Sequence, residues 1–495
     1  MNKNIHSTSM ITSLTSKKKK INVLLTGSNG FVGRNSIKPL IESGLYNVYA
    51  LLRSRSVGVS SAAAAPASKN SGGSGDASGS SKKNVPNIFK EYAANPSFNV
   101  LYGDIVDLVS DSQKSVVEHL RRLIFINNID VIVHLAAAMD FYPDDNSVVF
   151  KTNVIATKNL LESTIYNSSL DEYDVEDNDE DQDNNNSSDD NNSNNNSDNE
   201  NSVNSSSSSS SNSNSNVNNS SNKRINGNVM IKRFIYCSST EAMGGVYPAN
   251  GVLRNEYAFE CRPNFYYGET KLEAEDAVRQ MERRYGLDTI ILRITGIYGK
   301  DDDFSVFEMI QAISYGLIFF IPSFATGSVM YTHIDDVVSS LLLAIRKKRT
   351  ALDDTKPDHL PYTYVICPDK GMSYRDVLIF INEKLNRMKP RLVLPGVIVQ
   401  PVIGFVGKIF YLFKKKKFLY KSDTLIRMSE DRLFSNDRAK KELGFKPQYS
   451  FKQGLNVTIE EYMENDRISY YPVSPLFIAS IMLILFVKFI TTWFK

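Results

Sequence analysis

Three observations predict a doubly wound α/β fold, a parallel sheet with helices on both faces. An apolar run ends in a glycine-rich turn that opens a helix, near residues 21–44. Short apolar strands then alternate with amphipathic helices to about residue 300. Two long polar tracts interrupt this alternation without changing its order. "INVLLTG" (21–27) opens the series, and its continuous apolar stretch at 23–25 suits a parallel strand buried on both faces. "FVGRNSIKPLIESG" reads as a helix stopped by Gly44, with Pro39 expected to kink it or cost about 3 kcal/mol. "VYALL" (48–52) and "FNVLYGD" (98–104) are the next strands, and "VVEHLRRLIF" (116–125) a helix. "VIVHLAA" (131–137) is a fourth strand, "TNVIATKNLLEST" (152–164) a helix and "RFIYCSS" (233–239) a fifth strand. "LEAEDAVRQMERRYG" is a strong helix, and "DTIILRITGIYG" (288–299) a sixth strand and turn.

The tracts at about 54–85 and 167–229 are built of Ser, Ala and Gly, and of Asn, Ser and Asp. They lack the apolar surface that would offset the entropy of ordering them, so both are expected to be disordered insertions. Residues 1–20 carry no apolar signal region and read as a disordered leader. A net charge of +2 gives no case for nucleic-acid binding. Three cysteines, Cys237, Cys261 and Cys367, have neither disulfide nor zinc spacing, which fits a reduced, cytosol-facing protein. No metal site is expected, for no histidine–carboxylate cluster is present. "LFIASIMLILFVKFITTWF" (476–494) is nearly all apolar, and roughly 19 helical residues reach about 28 Å, enough for a hydrocarbon core. It reads as a single-pass C-terminal transmembrane anchor, with Lys488 snorkelling and Trp493 at the interface. The stretch "LVLPGVIVQPVIGFVGKIFYLFKKKK" (392–417) reads either as a wall of the substrate region or, favoured here, as ending in a segment, "GKIFYLFKKKK", that lies on an anionic membrane surface with its lysines toward the headgroups.

"TGSNGFVG" (26–33) sets Gly27, Gly30 and Gly33 at a strand-to-helix junction, with Phe31 as the first helical residue. Such glycines permit a tight turn, close approach of backbone to phosphate and close helix–sheet packing, while the helix N-terminus offers free N–H groups. "FYYGETK" (265–271) holds Tyr267 and Lys271 one helical turn apart. Spacing alone does not mark them, since Tyr411 and Lys415 share the interval. Position does: Tyr267 opens a helix after the fifth strand, whose end carries Ser239. A free phenol has a pKa of about 10, and a neighbouring ammonium is expected to lower it toward the working range. Ser239 at a strand's carboxyl edge is placed to hydrogen-bond an oxygen on which charge develops.

The spacing GxxGxxG, followed in order by "VLYGDIVD", "VIVHLAAAMDF", "FIYCSSTEA", "YYGETK", "LRITGIYG" and "THIDDVV", resembles the extended short-chain dehydrogenase/reductase branch, which includes epimerases and dehydratases. "DRLFSNDRAKKELGFKPQYSFKQGL" (431–455) is similar to the closing segment of its 3β-hydroxysteroid dehydrogenase family. The likeness covers about residues 21–465 without the polar tracts. It implies a Rossmann NAD(P)-binding domain at 21–300 and a smaller substrate-binding region at 301–465. It assigns Gly27, Gly30 and Gly33 to the pyrophosphate, Asp104 to the adenine, Ala136 and Ala137 to the cofactor cleft, and Ser239, Tyr267 and Lys271 to catalysis. His134 and His333 match family motifs and are expected to pack rather than react, and Asn153 matches a helix asparagine. Where an acid would hold the ribose of NAD, Leu52 ends the second strand and Arg53 and Arg55 follow, which leans toward NADP over NAD.

The expected function is oxidation of a secondary alcohol or reduction of a ketone on a 3β-hydroxysteroid or sterol-like lipid. The endoplasmic reticulum is the expected membrane, and a homodimer is compatible with this reading. Two alternatives stand beside it. One is a nucleotide-sugar epimerase or dehydratase, for which 301–323 lacks the basic residues a diphosphate needs. The other is a non-catalytic cofactor-binding membrane scaffold.

Overall fold

The computed structural model describes residues 19–53, 86–109, 113–141, 143–166, 229–244, 250–258, 263, 265–316, 318–349, 362–401, 404, 427–468 and 480. The tracts at 54–85 and 167–228 read as insertions, the residues before 19 read as a leader, the lysine run 414–417, and the 476–494 run read as an anchor, apart from Ser480, lie outside the described residues. Among the described residues no helix is long and apolar enough to cross a membrane.

Seven parallel strands form the central sheet: β1 (Ile21–Thr26), β2 (Tyr46–Leu52), β3 (Phe98–Tyr102), β4 (Val131–His134), β5 (Arg233–Ser239), β6 (Thr289–Ile294) and β7 (Thr363–Ile366). Their spatial order is β7-β6-β5-β4-β1-β2-β3. The order reverses between β1 and β4, where register runs Val23 to Val131 and Thr26 to His134. In such sheets the crevice outside the carboxyl ends at that reversal takes the ligand.

Strand alternation divides the core between the two faces. Val23, Leu25, Val48 and Ala50 pack with α1 (Phe31–Glu42). Leu24, Leu51, Ile132 and Phe234 face α2 (Lys114–Ile126) on the other side. Pro39 does not break α1. It stands in the last turn, where its carbonyl still accepts the Ser43 N–H at 3.2 Å, and the helix runs on to Glu42.

The helix expected at 152–164 is composite. α3 (Asn146–Phe150) passes through a π-helical turn, Lys151–Ile155, into α4 (Ala156–Glu162). Such wide turns gather at functional sites, and this one holds Asn153. α5 (Tyr266–Tyr285) follows β5 and ends on Gly286, whose left-handed φ of 70° closes the helix without a Cβ penalty.

The sheet continues past residue 300. β7 pairs with β6 from Thr363–Ile291 to Ile366–Ile294. α7 (Ile334–Arg346) buries Ile334, Val337, Val338 and Leu341 in the same core as β1 and β2. Part of the expected 301–465 region is therefore sheet core, because Thr363–Ile366 is a short apolar run buried on both faces. The remainder builds a third core from α6 (Ser305–Ser314), α8 (Tyr374–Lys384) and α9 (Phe451–Glu464). Ser450 and Gln453 close a capping box at the start of α9, satisfying orphan N–H groups.

Candidate active site

The turn between β1 and α1 is a cradle that only glycine permits. Gly27 has φ 65°, and a Cβ on it would meet the Ala136 amide nitrogen at 2.7 Å. A Cβ on Gly33 would meet the Gly27 carbonyl oxygen at 2.3 Å. The Gly30 N–H donates to the Gly27 carbonyl at 2.9 Å, and no side chain caps α1. Its first N–H groups thus remain for an anion. This geometry fits a dinucleotide pyrophosphate, and Gly27, Gly30, Phe31 and Gly33 line the cavity that would take it. Gly33→Ala is expected to weaken NAD binding at least tenfold, because the turn must open to admit a methyl group. Titration of nucleotide into wild-type and variant protein checks it.

Ala137 lines the cavity too, while Ala136 presses against Gly27 behind it. Arg53 and Asp104 stand just past the carboxyl ends of β2 and β3 and are not among the lining residues. His134 is buried between hydroxyls, with Nδ1 2.7 Å from Thr26 Oγ1 and Nε2 3.0 Å from Thr157 Oγ1. Burial, and then the Lys271 charge, lower its pKa to about 3, so it packs as a neutral ring.

Ser239, Tyr267 and Lys271 come together at the sheet's carboxyl edge, and all three line the cavity. Ser239 ends β5, and its Oγ accepts the Glu241 N–H at 3.2 Å, starting the short turn Thr240–Met243. Tyr267 and Lys271 share the buried face of α5, whereas Tyr266 is only half-buried and does not line the cavity. The close approach depends on Gly268, where a Cβ would meet the Glu241 carbonyl oxygen at 2.6 Å. Lys271 Nζ donates to the Cys237 carbonyl at 2.9 Å and lies 4.9 Å from the Tyr236 ring centroid. Asn153 braces the same corner. Its amide accepts from the Ala138 N–H at 2.7 Å, donates to the Ala138 carbonyl at 3.0 Å and reaches Thr270 Oγ1 at 2.9 Å.

The electrostatics differ from the sequence-based expectation. Burial pushes the Tyr267 phenol up from its ordinary value, the Glu241 carboxylate pushes it further, and a hydrogen bond with Ser239 opposes both. Burial lowers Lys271 to about 8, and neighbouring Cys237 and Glu275 oppose that shift. In this resting state the pair is a neutral phenol beside a lysine that is easily deprotonated. Desolvation dominates both shifts because both side chains are buried.

Sequence reasoning missed several residues of the site. Glu241 lies between two guanidiniums, Arg427 Nη2 at 2.7 and 2.9 Å and Arg432 Nη2 at 2.7 Å. Phe141 lies 5.4 Å from the Tyr267 ring and 6.0 Å from the Arg427 guanidinium. Glu241 sat in the quoted "SSTEA", but its partners are 186 and 191 residues away. Below the site a buried network supports β5. Glu275 accepts from Ser238 Oγ at 2.5 Å and from Arg293 Nε and Nη2 at 3.0 and 2.7 Å. Among the described residues no group of three or more His, Cys, Asp or Glu side chains is arranged to hold a metal ion.

The pattern described as the NAD dependent epimerase/dehydratase family matches residues 23–169 and 208–360. The chain is 24% identical over 241 residues to the 3beta-hydroxysteroid-dehydrogenase/decarboxylase isoform 2 of Arabidopsis thaliana, covering 48% of this chain and 42% of that protein. It is 23% identical over 243 residues to a 3 beta-hydroxysteroid dehydrogenase/Delta 5-->4-isomerase of Mycobacterium tuberculosis, covering 48% and 64%. The chain thus spans about half the length of the curated relatives it matches. Among solved structures, UDP-glucuronic acid 4-epimerase from Bacillus cereus in complex with NAD superposes with a TM-score of 0.54 at 16% identity, covering 90% of this chain and 99% of that one. dTDP-glucose 4,6-dehydratase from Bacillus anthracis in complex with NAD gives 0.53 at 16%, covering 90% and 98%. At these identities the structures speak for the fold alone.

Proposed function

The chain belongs to the NAD dependent epimerase/dehydratase family, and on that premise we propose that it interconverts a secondary alcohol and a ketone on a 3β-hydroxysteroid or sterol-like lipid. One observation carries the reading: Tyr267 and Lys271 meet the glycine cradle in a single cavity of about 390 Å³. Its lining includes the apolar side chains Met309, Val329, Met330, Val377 and Met428, which suit a hydrocarbon body. Similarity to hydroxysteroid dehydrogenases supports the same substrate class.

In oxidation Tyr267, as phenolate, takes the hydroxyl proton while the carbinol C–H bond gives up its hydride. The nicotinamide supplies the acceptor for that hydride, or its donor in reduction. Ser239 steadies the substrate oxygen as charge shifts on it. While protonated, Lys271 places a positive charge one turn from the phenol and favours its ionised form. In reduction the buried neutral Tyr267 is already the acid required. The cradle accommodates either dinucleotide, and Arg53 after Leu52 leans toward NADP. The 476–494 run anchors the protein in a membrane of the endoplasmic reticulum in this reading, and 407–417 rests on its cytosolic surface, beside an insoluble substrate. A homodimer is compatible with it.

The test is a screen of the full-length protein in detergent, following NADH and NADPH absorbance with 3β-hydroxysterols, 3-ketosteroids and UDP-sugars. Turnover of the steroid alcohols or ketones is expected. Turnover confined to the sugars overturns the lipid reading in favour of the epimerase or dehydratase class, and no turnover at all favours a binding scaffold.

A further inference from the structure

We propose that Tyr331 and Tyr374 form a second polar subsite of this cavity, which reads a neutral hydroxyl or ketone oxygen that the lipid substrate carries besides the alcohol handled at Tyr267. The proposal narrows the substrate to a lipid oxygenated at two positions, and it rests on the alcohol-oxidoreductase reading.

Both tyrosines are half-buried and line the cavity. Neither hydroxyl makes a hydrogen bond to the described residues, and neither is a sealed atom of the interior. Their companions in the lining, Met330 beside Tyr331 and Val377 one turn from Tyr374, are apolar. The backbone fixes both rings. Tyr331 pairs with Gly296 across two short parallel strands, so closely that a Cβ on Gly296 would fall 1.9 Å from the Tyr331 Cε1. The Phe451 ring packs 5.4 Å from it. Tyr374 opens α8, and its N–H donates to the Gly327 carbonyl at 3.0 Å while Ser373 Oγ caps the helix by accepting the Asp376 N–H at 3.0 Å. After burial, Tyr331 is the largest influence on the Tyr374 phenol, which marks the two as neighbours. Gly296 also ties the pair to the chemistry. It stands two residues past Ile294, the register partner of Ser239, which is roughly 7 Å along an extended chain.

Solvation decides what such a pair accepts. A lipid that presents only hydrocarbon here would strip water from both hydroxyls and leave them unpaired, an arrangement that buried tyrosines avoid. A hydroxyl or ketone oxygen restores the lost bonds, since each phenol can donate to it and a hydroxyl can donate in return. Burial pushes the Tyr374 phenol above its ordinary value, so it stays a neutral donor. The charges around it, Arg427, Arg432 and Glu241, are bound to one another, and the phenols read an uncharged group. A site built to hydrogen-bond a substrate oxygen rejects the analogue lacking it far more strongly than an apolar pocket rejects an extra methylene.

The experiment gives full-length protein in detergent, with NAD(P)+, a set of 3β-hydroxysteroids on one skeleton. The parent has no second oxygen, and the others carry a hydroxyl or ketone in ring B, C or D. In wild type, kcat/KM for the best doubly oxygenated member is expected to exceed that of the parent at least tenfold. The isosteric changes Tyr331→Phe and Tyr374→Phe should each cut that ratio, and the double variant should bring it to about one. A wild-type ratio near one across the set, which needs no variant to measure, overturns the subsite. So does a ratio that survives in the double variant. Equilibrium dialysis of the same compounds on Tyr267→Phe protein, with and without the two further changes, reads the subsite apart from turnover. Selective binding of a doubly oxygenated member, lost with the phenols, upholds the subsite even where wild type oxidises none of the alcohols, a result that sinks the oxidoreductase reading alone. Equal binding of parent and oxygenated members sinks the subsite whatever the turnover.

Discussion

Tyr267→Phe is expected to lower kcat/KM by about 10³- to 10⁴-fold, the upper part of the range for general acid–base catalysis. The variant keeps the ring against Phe141, which lies 5.4 Å away, so packing and nucleotide binding should be retained. Only the proton carrier is lost. Steady-state kinetics on whichever alcohol or ketone the screen identifies measures the rate, and NAD titration serves as the control. A residual rate within tenfold of wild type would remove Tyr267 from the chemistry. The pH profile gives a second check. With Lys271 lowered to about 8 by burial, its ammonium is intact below that pH and lost above it. For ketone reduction, kcat/KM is therefore expected to decline as pH rises through about 8, and Lys271→Gln should abolish that limb along with most of the rate.

Glu275→Leu is expected to destabilise the fold by about 3–5 kcal/mol, the range for stripping one partner from a buried ion pair. Glu275 and Arg293 are both fully buried, and Arg279 and Ser238 share the same carboxylate. Burial alone would push the Glu275 carboxyl up, but Arg293, Arg279 and Ser238 together hold it below the usual range. The leucine variant leaves Arg293 in the interior without its carboxylate partner, while Arg279 keeps only Asp276. Because the folded pKa is depressed, the glutamate's contribution is complete above its ordinary value of about 4.5 and fades as pH falls through the lower folded value. Urea unfolding at pH 7 reads the loss, and the gap between wild type and variant should narrow in acid. An unchanged midpoint at pH 7 would show that the network carries little stability. The loss should also reach activity, since Ser238 precedes Ser239 and fixes the end of β5 on α5.

Much of the candidate site was legible in the chain itself. "RFIYCSS" matched β5 residue for residue, since its apolar run ends where the buried strand reaches the sheet edge. Choosing Tyr267 over Tyr266 followed from helical periodicity, which sets residues four apart on one face. His134 was read as packing, and two hydroxyls hold its ring. The misses share a cause. Thr363–Ile366 is too short a run to announce a strand without its neighbour β6. Glu241, Arg427 and Arg432 are unremarkable charges until 186 residues of chain fold back on them. Tyr267 acidity was misjudged because spacing reveals a nearby lysine but not how little water reaches the pair.

The sequence by itself determined the strand–helix alternation, the glycine turn and the Tyr267–Lys271 spacing, because backbone stereochemistry and hydrophobic period are local properties. Only the tertiary structure decided how the sheet closes with a seventh strand, which arginines reach the cavity and how far Tyr267 and Lys271 depart from their ordinary pKa values. Those depend on burial and on charges brought together through space, and chain order records neither.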